Sequence, residues 1–511
     1  MMKKFIYVVL IFICAIQISC NKILEEVVPP TSLNKQMILN DPAAARTLYY
    51  GLYSSFRTYN GVLFELGEMR SQLWADGLFL ESADAGLRNY YTHNYDAENV
   101  VASNWAGFYG MVFRLNRALK LIPQSKLPDA EKDKILAEVY GLRAFVYYTM
   151  LKTWGKVPIT DQVVDAINDL AALYKPRAEE EEVMQLIEND IEQSITLFGN
   201  TNTFAPKRVY WNLAATLILK GDVHIWKYTH HTQNDEDLIV AKNTLEQVKG
   251  MSGASFGLQD NYADIFSVDK KVNNKEIVFA INYEQDQVEN KVFNLFMINA
   301  AAVNNTMLNA NSSNSGLVGT LYPNITGAGS RVGMNTAMIN KLKNVTPEDK
   351  RVTASIATMH SNTTGYPLIG VMLTKYIGNV YEGLRVYNND YPIYRYADVL
   401  LLLAEAKTKL GENPADEINA IRQRAYGTGY PVFANGSETQ NMEAILEEYL
   451  REFIGEGKLW WALRRAGDDY VFDHVNPAYL SESTRHKLLL PISRTTLNSD
   501  PLLEQTDGYK K

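Results

Sequence analysis

Residues 129–154 read DAEKDKILAEVYGLRAFVYYTMLKTW, and this stretch decides the fold class. Ile135, Val139, Leu142, Val146 and Met150 recur at steps of 4, 3, 4 and 4, which puts them on one face of a long helix. Gly155 ends it, and Pro158 prevents it from resuming. On the N-terminal side, residues 41–59 open on Asp41-Pro42, an N-cap followed by proline at the first helical position. On the C-terminal side, residues 179–198 carry an acidic first turn that favours the positive end of the helix dipole, with Gly199 just beyond the last turn. Further helices are expected at 208–228, 235–249, 393–410, 414–424 and 442–466. The 393–410 segment is apolar on several sides, so it should lie buried between neighbours. Successive antiparallel helix pairs of this kind bury their apolar faces on one another.

Between 251 and 392 the texture changes. Residues 276–283, EIVFAINY, read as a short strand, and 290–344 are rich in Asn, Ser, Gly and Thr with scattered aromatics. Irregular backbone held on a scaffold is where recognition surfaces are built. The expected division is a signal segment at 1–19, a tether at 20–40, a helical region at 41–250, an irregular lobe at 251–392 and a helical region at 393–511, the last three forming one unit.

The N-terminus is an address. Lys3 and Lys4 precede an apolar run from Phe5 to Ile16, then Ser19 and Cys20, the layout of an export signal. The run falls short of the roughly 20 residues that span a bilayer. Both cysteines, Cys14 and Cys20, lie here, so cleavage before Cys20 leaves one cysteine, at the first position, as in a bacterial lipoprotein; Cys20 is the expected lipid attachment point. With 50 Lys and Arg against 58 Asp and Glu, no basic field exists to hold a phosphate backbone, and no nucleic-acid partner is expected.

Catalytic motifs fail on context. Gly253-Ala-Ser255-Phe-Gly257 has the spacing of a nucleophile elbow, which needs a strand before it and a helix after it, and here a helix precedes it. The seven histidines form no zinc motif, and His230-His231 falls in a polar loop that reads as solvated. No dinucleotide or phosphate-loop fingerprint is present, so neither catalytic residue, metal nor cofactor is expected.

Three C-terminal segments carry a family resemblance in order. Residues 394–406 (YRYADVLLLLAEA), 448–465 (EYLREFIGEGKLWWALRR), and 490–493 (LPIS) followed by 498–509 (NSDPLLEQTDGY) resemble blocks of the SusD/RagB family of nutrient-binding outer-membrane lipoproteins. Residues 105–116, 138–158 and 262–283 are similar to earlier family blocks in the same order. Tyr449 and Leu459 stand where arginines are usual and Ala462 where aspartate is usual, while Glu452, Glu456, Arg464 and Arg465 remain and are expected to form a structural polar network. The resemblance implies a mostly α fold, in which tetratricopeptide-like helix pairs form an α-α superhelix supporting an irregular, loop-rich lobe with short strands. It also implies a lipid-anchored protein on the extracellular face of the outer membrane. There it would bind oligosaccharide without chemistry and hand it to a SusC-like TonB-dependent transporter. A peptide-binding RagB-like protein is the alternative, and a secreted glycoside hydrolase a remote one.

Sugars present hydroxyl rims and apolar C–H faces, so their sites need flat aromatic rings beside amide and charged groups. Tyrosine dominates the aromatics here, 31 against 18 Phe and 7 Trp, and two stretches combine such rings with polar neighbours. The first, 74–95, holds Trp74, Asp76, Phe79, Arg88, Asn89, Tyr90 and Tyr91; the second, 283–322, holds Tyr283, Asn304 and Tyr322. Tyr90, Tyr91 and Tyr322, set among polar residues, are the favoured contacts, whereas Trp74 and Tyr283 read equally well as core.

Overall fold

The computed structural model describes residues 33–76, 85–102, 105–161, 163, 173–199, 202–290, 292–296, 298, 301–310, 312, 315–325, 331–345 and 347–510. The export signal, Cys20, most of the tether and Phe79 lie outside the described residues.

Helices α1 (Pro42–Phe56), α2 (Trp105–Leu121), α3 (Asp129–Trp154), α4 (Glu180–Phe198), α5 (Leu213–Lys227) and α6 (Asp235–Gly250) follow one another along the chain. The path continues through α7 (Tyr396–Lys409), α8 (Ala415–Tyr426), α9 (Glu438–Glu452) and α10 (Leu459–Ala466). Neighbours in sequence pack as neighbours in space: α3 on α2 and α4, α5 on α4 and α6, α7 on α6, α8 and α9, and α10 on α9. The fold is therefore mostly α, tetratricopeptide-like helix pairs carrying a lobe of loops and short strands.

Local chemistry sets the helix ends. Asp41 accepts a hydrogen bond from the Ala43 N–H (2.8 Å), and a reciprocal capping box joins Glu179 to Glu182. Gly155 (φ 70°) and Gly199 (φ 57°) close α3 and α4. Every residue of α7 from Tyr396 to Ala406 is buried, as its many-sided apolar sequence requires.

The lobe contains β1 (Ile277–Ile281), β2 (Thr306–Leu308), β3 (Gly316–Leu317), β4 (Ile356–Ser361), β5 (Leu368–Leu373), β6 (Asn379–Tyr381), β7 (Leu384–Val386) and β8 (Tyr391–Arg395). A four-stranded antiparallel sheet runs β3-β2-β4-β5, β6 and β7 form a hairpin, and β1 pairs antiparallel with β8, which leads directly into α7.

Three segments depart from the sequence reading. The expected helix at 442–466 is two, because residues 453–458 turn through Gly455 (φ 79°) and Gly457 (φ 70°). The expected helix from 208 starts at Leu213: Lys207 and Arg208 hold positive φ (62° and 56°), and Asn212 supplies the cap. Residues 393–395 are strand, held by β1, before α7 begins.

A buried charge network joins these parts. Arg395 in β8 reaches Glu276 and Glu452 at 2.6 Å each and Glu456 at 2.8 Å, all four side chains fully buried. Arg351 pairs with Asp349 (2.7 Å) and Glu448 (2.6 Å), and Arg465 with Glu405 (2.8 Å) and Asp222 (3.1 Å). Glu452 is held well below the usual carboxylate range by Arg424, Arg395 and Arg351, against the opposing pull of its burial.

Candidate ligand-binding surface

Beyond α1 a short helix, Asn60–Phe64, widens into a π-helical turn, Glu65–Met69, which delivers Glu68 into the core, where its carboxylate accepts N–H groups from Gly455 (2.7 Å) and Gly457 (2.9 Å) and the indole N–H of Trp74 (3.2 Å). Burial dominates these bonds and pushes the Glu68 carboxyl up to about 7. The backbones close in tightly: a Cβ on Gly67 would lie 1.8 Å from the Gly457 carbonyl oxygen. Trp74 is fixed by this arrangement and packs on Phe296, ring centroids 4.4 Å apart.

Beyond Trp74, Asp76 receives the Arg88 guanidinium at 3.0 and 2.9 Å and the Tyr91 hydroxyl at 2.9 Å, which hold its carboxyl below the ordinary range. Tyr90 donates to Glu65 (2.9 Å), and Asn89 is bonded to Asn99 (3.1 Å). Arg88 and Asp76 face solvent, their side chains 52% and 44% exposed. Tyr90 and Tyr91, favoured as exposed rings, are instead only 3% and 5% exposed. Their polar neighbours are carboxylates that take the hydroxyls and draw the rings inward. Trp74 and Tyr283 are core, each 2% exposed.

In the second stretch Asn304 is exposed and Tyr322 half-buried. The Arg385 guanidinium lies 6.0 Å from the Tyr322 ring and donates to the Pro323 carbonyl at 3.0 and 2.9 Å. Tyr283 is anchored by Asp390, which accepts its N–H at 2.9 Å. The first stretch is stitched to the lobe by the Trp74–Phe296 contact and by a backbone pair between Ala75 and Gly333 (2.9 and 3.2 Å). Asp76 and Arg88 thus stand beside the lobe.

Sequence reasoning missed the β6–β7 hairpin. Arg385 ties it to the loop of Tyr322, and with residues 285–289 it frames a cleft of about 570 Å³. Tyr381 (45% exposed), Leu384 (71%) and Val288 (52%) supply ring and apolar faces there, beside Gln285, Gln287, Asp286 and Glu289. The available signal was the pair Glu382-Gly383 between alternating residues, a two-residue hairpin turn in which both adopt positive φ (46° and 79°).

Other clusters read as structural. Among the described residues Glu188, His224 and Asp237 could share a metal ion, but the Lys227 ammonium already sits 2.7 Å from Glu188 and 3.5 Å from Asp237. His230 is not solvated as expected: its ring lies 4.2 Å from Trp226, Nε2 is 2.9 Å from the Arg464 carbonyl, and burial pulls its pKa down.

Residues 224–509 match the SusD family model, and residues 25–216 match a family described as starch-binding and associating with the outer membrane. The chain belongs to the SusD family. It is 30% identical to B. fragilis NanU, whose structure matches with a TM-score of 0.83 over 95% of this chain and 100% of that one. A SusD-like protein of Formosa agariphila is 24% identical over 99% of this chain and 100% of its own. The starch-binding protein SusD of Bacteroides thetaiotaomicron is 24% identical over 75% of this chain and 74% of its own. In this SusD-family chain the Tyr449 hydroxyl accepts from Arg465 at 3.0 Å.

Proposed function

We propose that this protein binds oligosaccharide at the cell surface, performs no chemistry on it, and passes it to a SusC-like TonB-dependent transporter. Its anchor is lipid on Cys20, and its station the extracellular face of the outer membrane. The match of residues 25–216 to a starch-binding, outer-membrane-associating family carries the reading. The exposed Arg88 and Asp76, and the cleft that sets the exposed Tyr381 ring beside Gln285 and Gln287, support it, since polar partners and a stacking face are what a sugar needs.

Calorimetric titration of a panel of defined oligosaccharides, with peptides alongside, tests the reading. Binding of at least one glycan without turnover, weakened by Arg88→Ala or Tyr381→Ala, and co-purification of a transporter are the expected results. Exclusive peptide binding, or hydrolysis abolished by one carboxylate substitution, would overturn it.

A further inference from the structure

The Tyr210 ring, in the loop leading into α5, is braced from beneath. It stacks on Tyr49 (centroids 5.8 Å apart, interplanar angle 19°) and meets Tyr53 edge-on (5.0 Å, 89°). Both of those tyrosines donate to one oxygen of the fully buried Glu138, Tyr49 at 2.7 Å, so the support is pinned to α3. Tyr210 itself is half-buried, and Tyr50 of α1 stands beside it, 52% exposed, with the ring centroids 6.5 Å apart. Rings held this way offer flat contact area and lose little conformational freedom when a ligand settles on them.

Tyr210 belongs to two clefts at once. On one side, a cleft of about 620 Å³ contains the half-buried Phe204, whose ring is fixed by the Arg208 guanidinium 3.6 Å from its centroid. On the other, a cleft of about 210 Å³ contains Tyr50, Ser54, Arg57 and Asn282. Arg57 in turn donates to Gln287 at 2.5 Å, and Gln287 lines the hairpin cleft of Tyr381. The three clefts are therefore joined in series, through Tyr210 and through the Arg57–Gln287 bond, and rings accessible to solvent alternate along them with amide, hydroxyl and guanidinium groups. A single sugar unit needs one ring and a few polar partners, which one cleft supplies. Rings and polar groups in series match a chain whose units repeat the same apolar faces and hydroxyl rims. We infer that this track binds a linear oligosaccharide lengthwise, with Tyr381 at one end, Tyr50 and Tyr210 midway and Phe204 at the other end. This rests on the glycan-binding reading, and it adds to it the form of the ligand and a stretch of surface on α1 and the loop before α5.

The test is calorimetry with linear α-1,4-, β-1,4- and β-1,3-linked gluco-oligosaccharides of two to eight units, on the parent, Tyr50→Ala, Tyr50→Phe and Phe204→Ala. In the parent, affinity in at least one series should rise at least tenfold from the disaccharide to the octasaccharide. Tyr50→Ala and Phe204→Ala should each cut that ratio at least threefold, and Tyr50→Phe, which keeps the ring, should retain it. No rise with length in any series, or a rise that survives both alanine substitutions, overturns the track while leaving the glycan reading in place if any sugar of the broader panel binds. Failure of every sugar in these series and in that panel overturns both.

Discussion

Glu68 is a wholly buried carboxyl whose three N–H donors only partly offset the loss of water, and its pKa rises to about 7 from an ordinary 4.5. A folded-state pKa above the unfolded one contributes stability that is complete below about pH 4.5 and is lost as pH rises through about 7. At ~1.4 kcal/mol per pH unit, the contribution is about 3 kcal/mol. Relative to parent, Glu68→Gln should therefore gain about this much between pH 5 and 8 in urea unfolding; a constant difference across that range would remove the assignment. Gly457 makes a second case: its φ is 70°, and a Cβ there would stand 2.8 Å from the Leu63 carbonyl oxygen. Gly457→Ala should cost about 3 kcal/mol by the same measurement. The same scale explains why Tyr90 and Tyr91 misled the sequence reading. Polar neighbours mark exposure only when they leave the hydroxyl to solvent, and here Glu65 and Asp76 take it.

Elements were legible where a one-dimensional pattern fixes them and illegible where a distant partner does. The α3 boundaries, Asp129 and Trp154, follow from apolar spacing and a glycine stop, both local. The break between α9 and α10 answers to Glu68, nearly four hundred residues away, whose carboxylate gathers the N–H groups of Gly455 and Gly457. The α9 end also carries Glu452, which serves Arg395 at 2.6 Å and Arg424. Replacing one member of such a buried set leaves the others uncompensated, so Glu452→Gln should destabilise by about 3–5 kcal/mol in denaturant unfolding. Because its folded pKa is depressed, the stability it contributes is present above the unfolded carboxylate value and lost on acidification, opposite in sign to Glu68. By contrast, the exposed Arg88–Asp76 pair, 52% and 44% accessible, should matter little to folding: Arg88→Ala is expected within about 0.5 kcal/mol of parent. A loss of glycan affinity in that variant then reports contact, and a large loss of stability would show the pair to be structural.

For the whole molecule, family-like blocks spread from residue 105 to 509 made the superhelix readable, because packing of consecutive helices repeats one local rule. The candidate surface was readable only in part. Asp76 and Arg88 face solvent and Tyr322 is half-buried, but the cleft of Tyr381 depends on which loops meet, and no local pattern records that. The N-terminus poses the remaining whole-molecule question, since no helix among the described residues is long and apolar enough to cross a membrane. If the hold on the outer membrane is lipid on Cys20, then Cys20→Ala removes the attachment while leaving the helices from Pro42 onward intact. Stable anchoring of this kind needs more than one acyl chain, so losing the attachment point abolishes it rather than weakening it. Cell fractionation should find the Cys20→Ala variant in the soluble fraction, with the oligosaccharide affinity of the purified protein unchanged and growth on that glycan impaired. Retention in the membrane fraction would assign the anchoring to protein contacts, with the transporter or another partner, and would remove the lipid from the proposal.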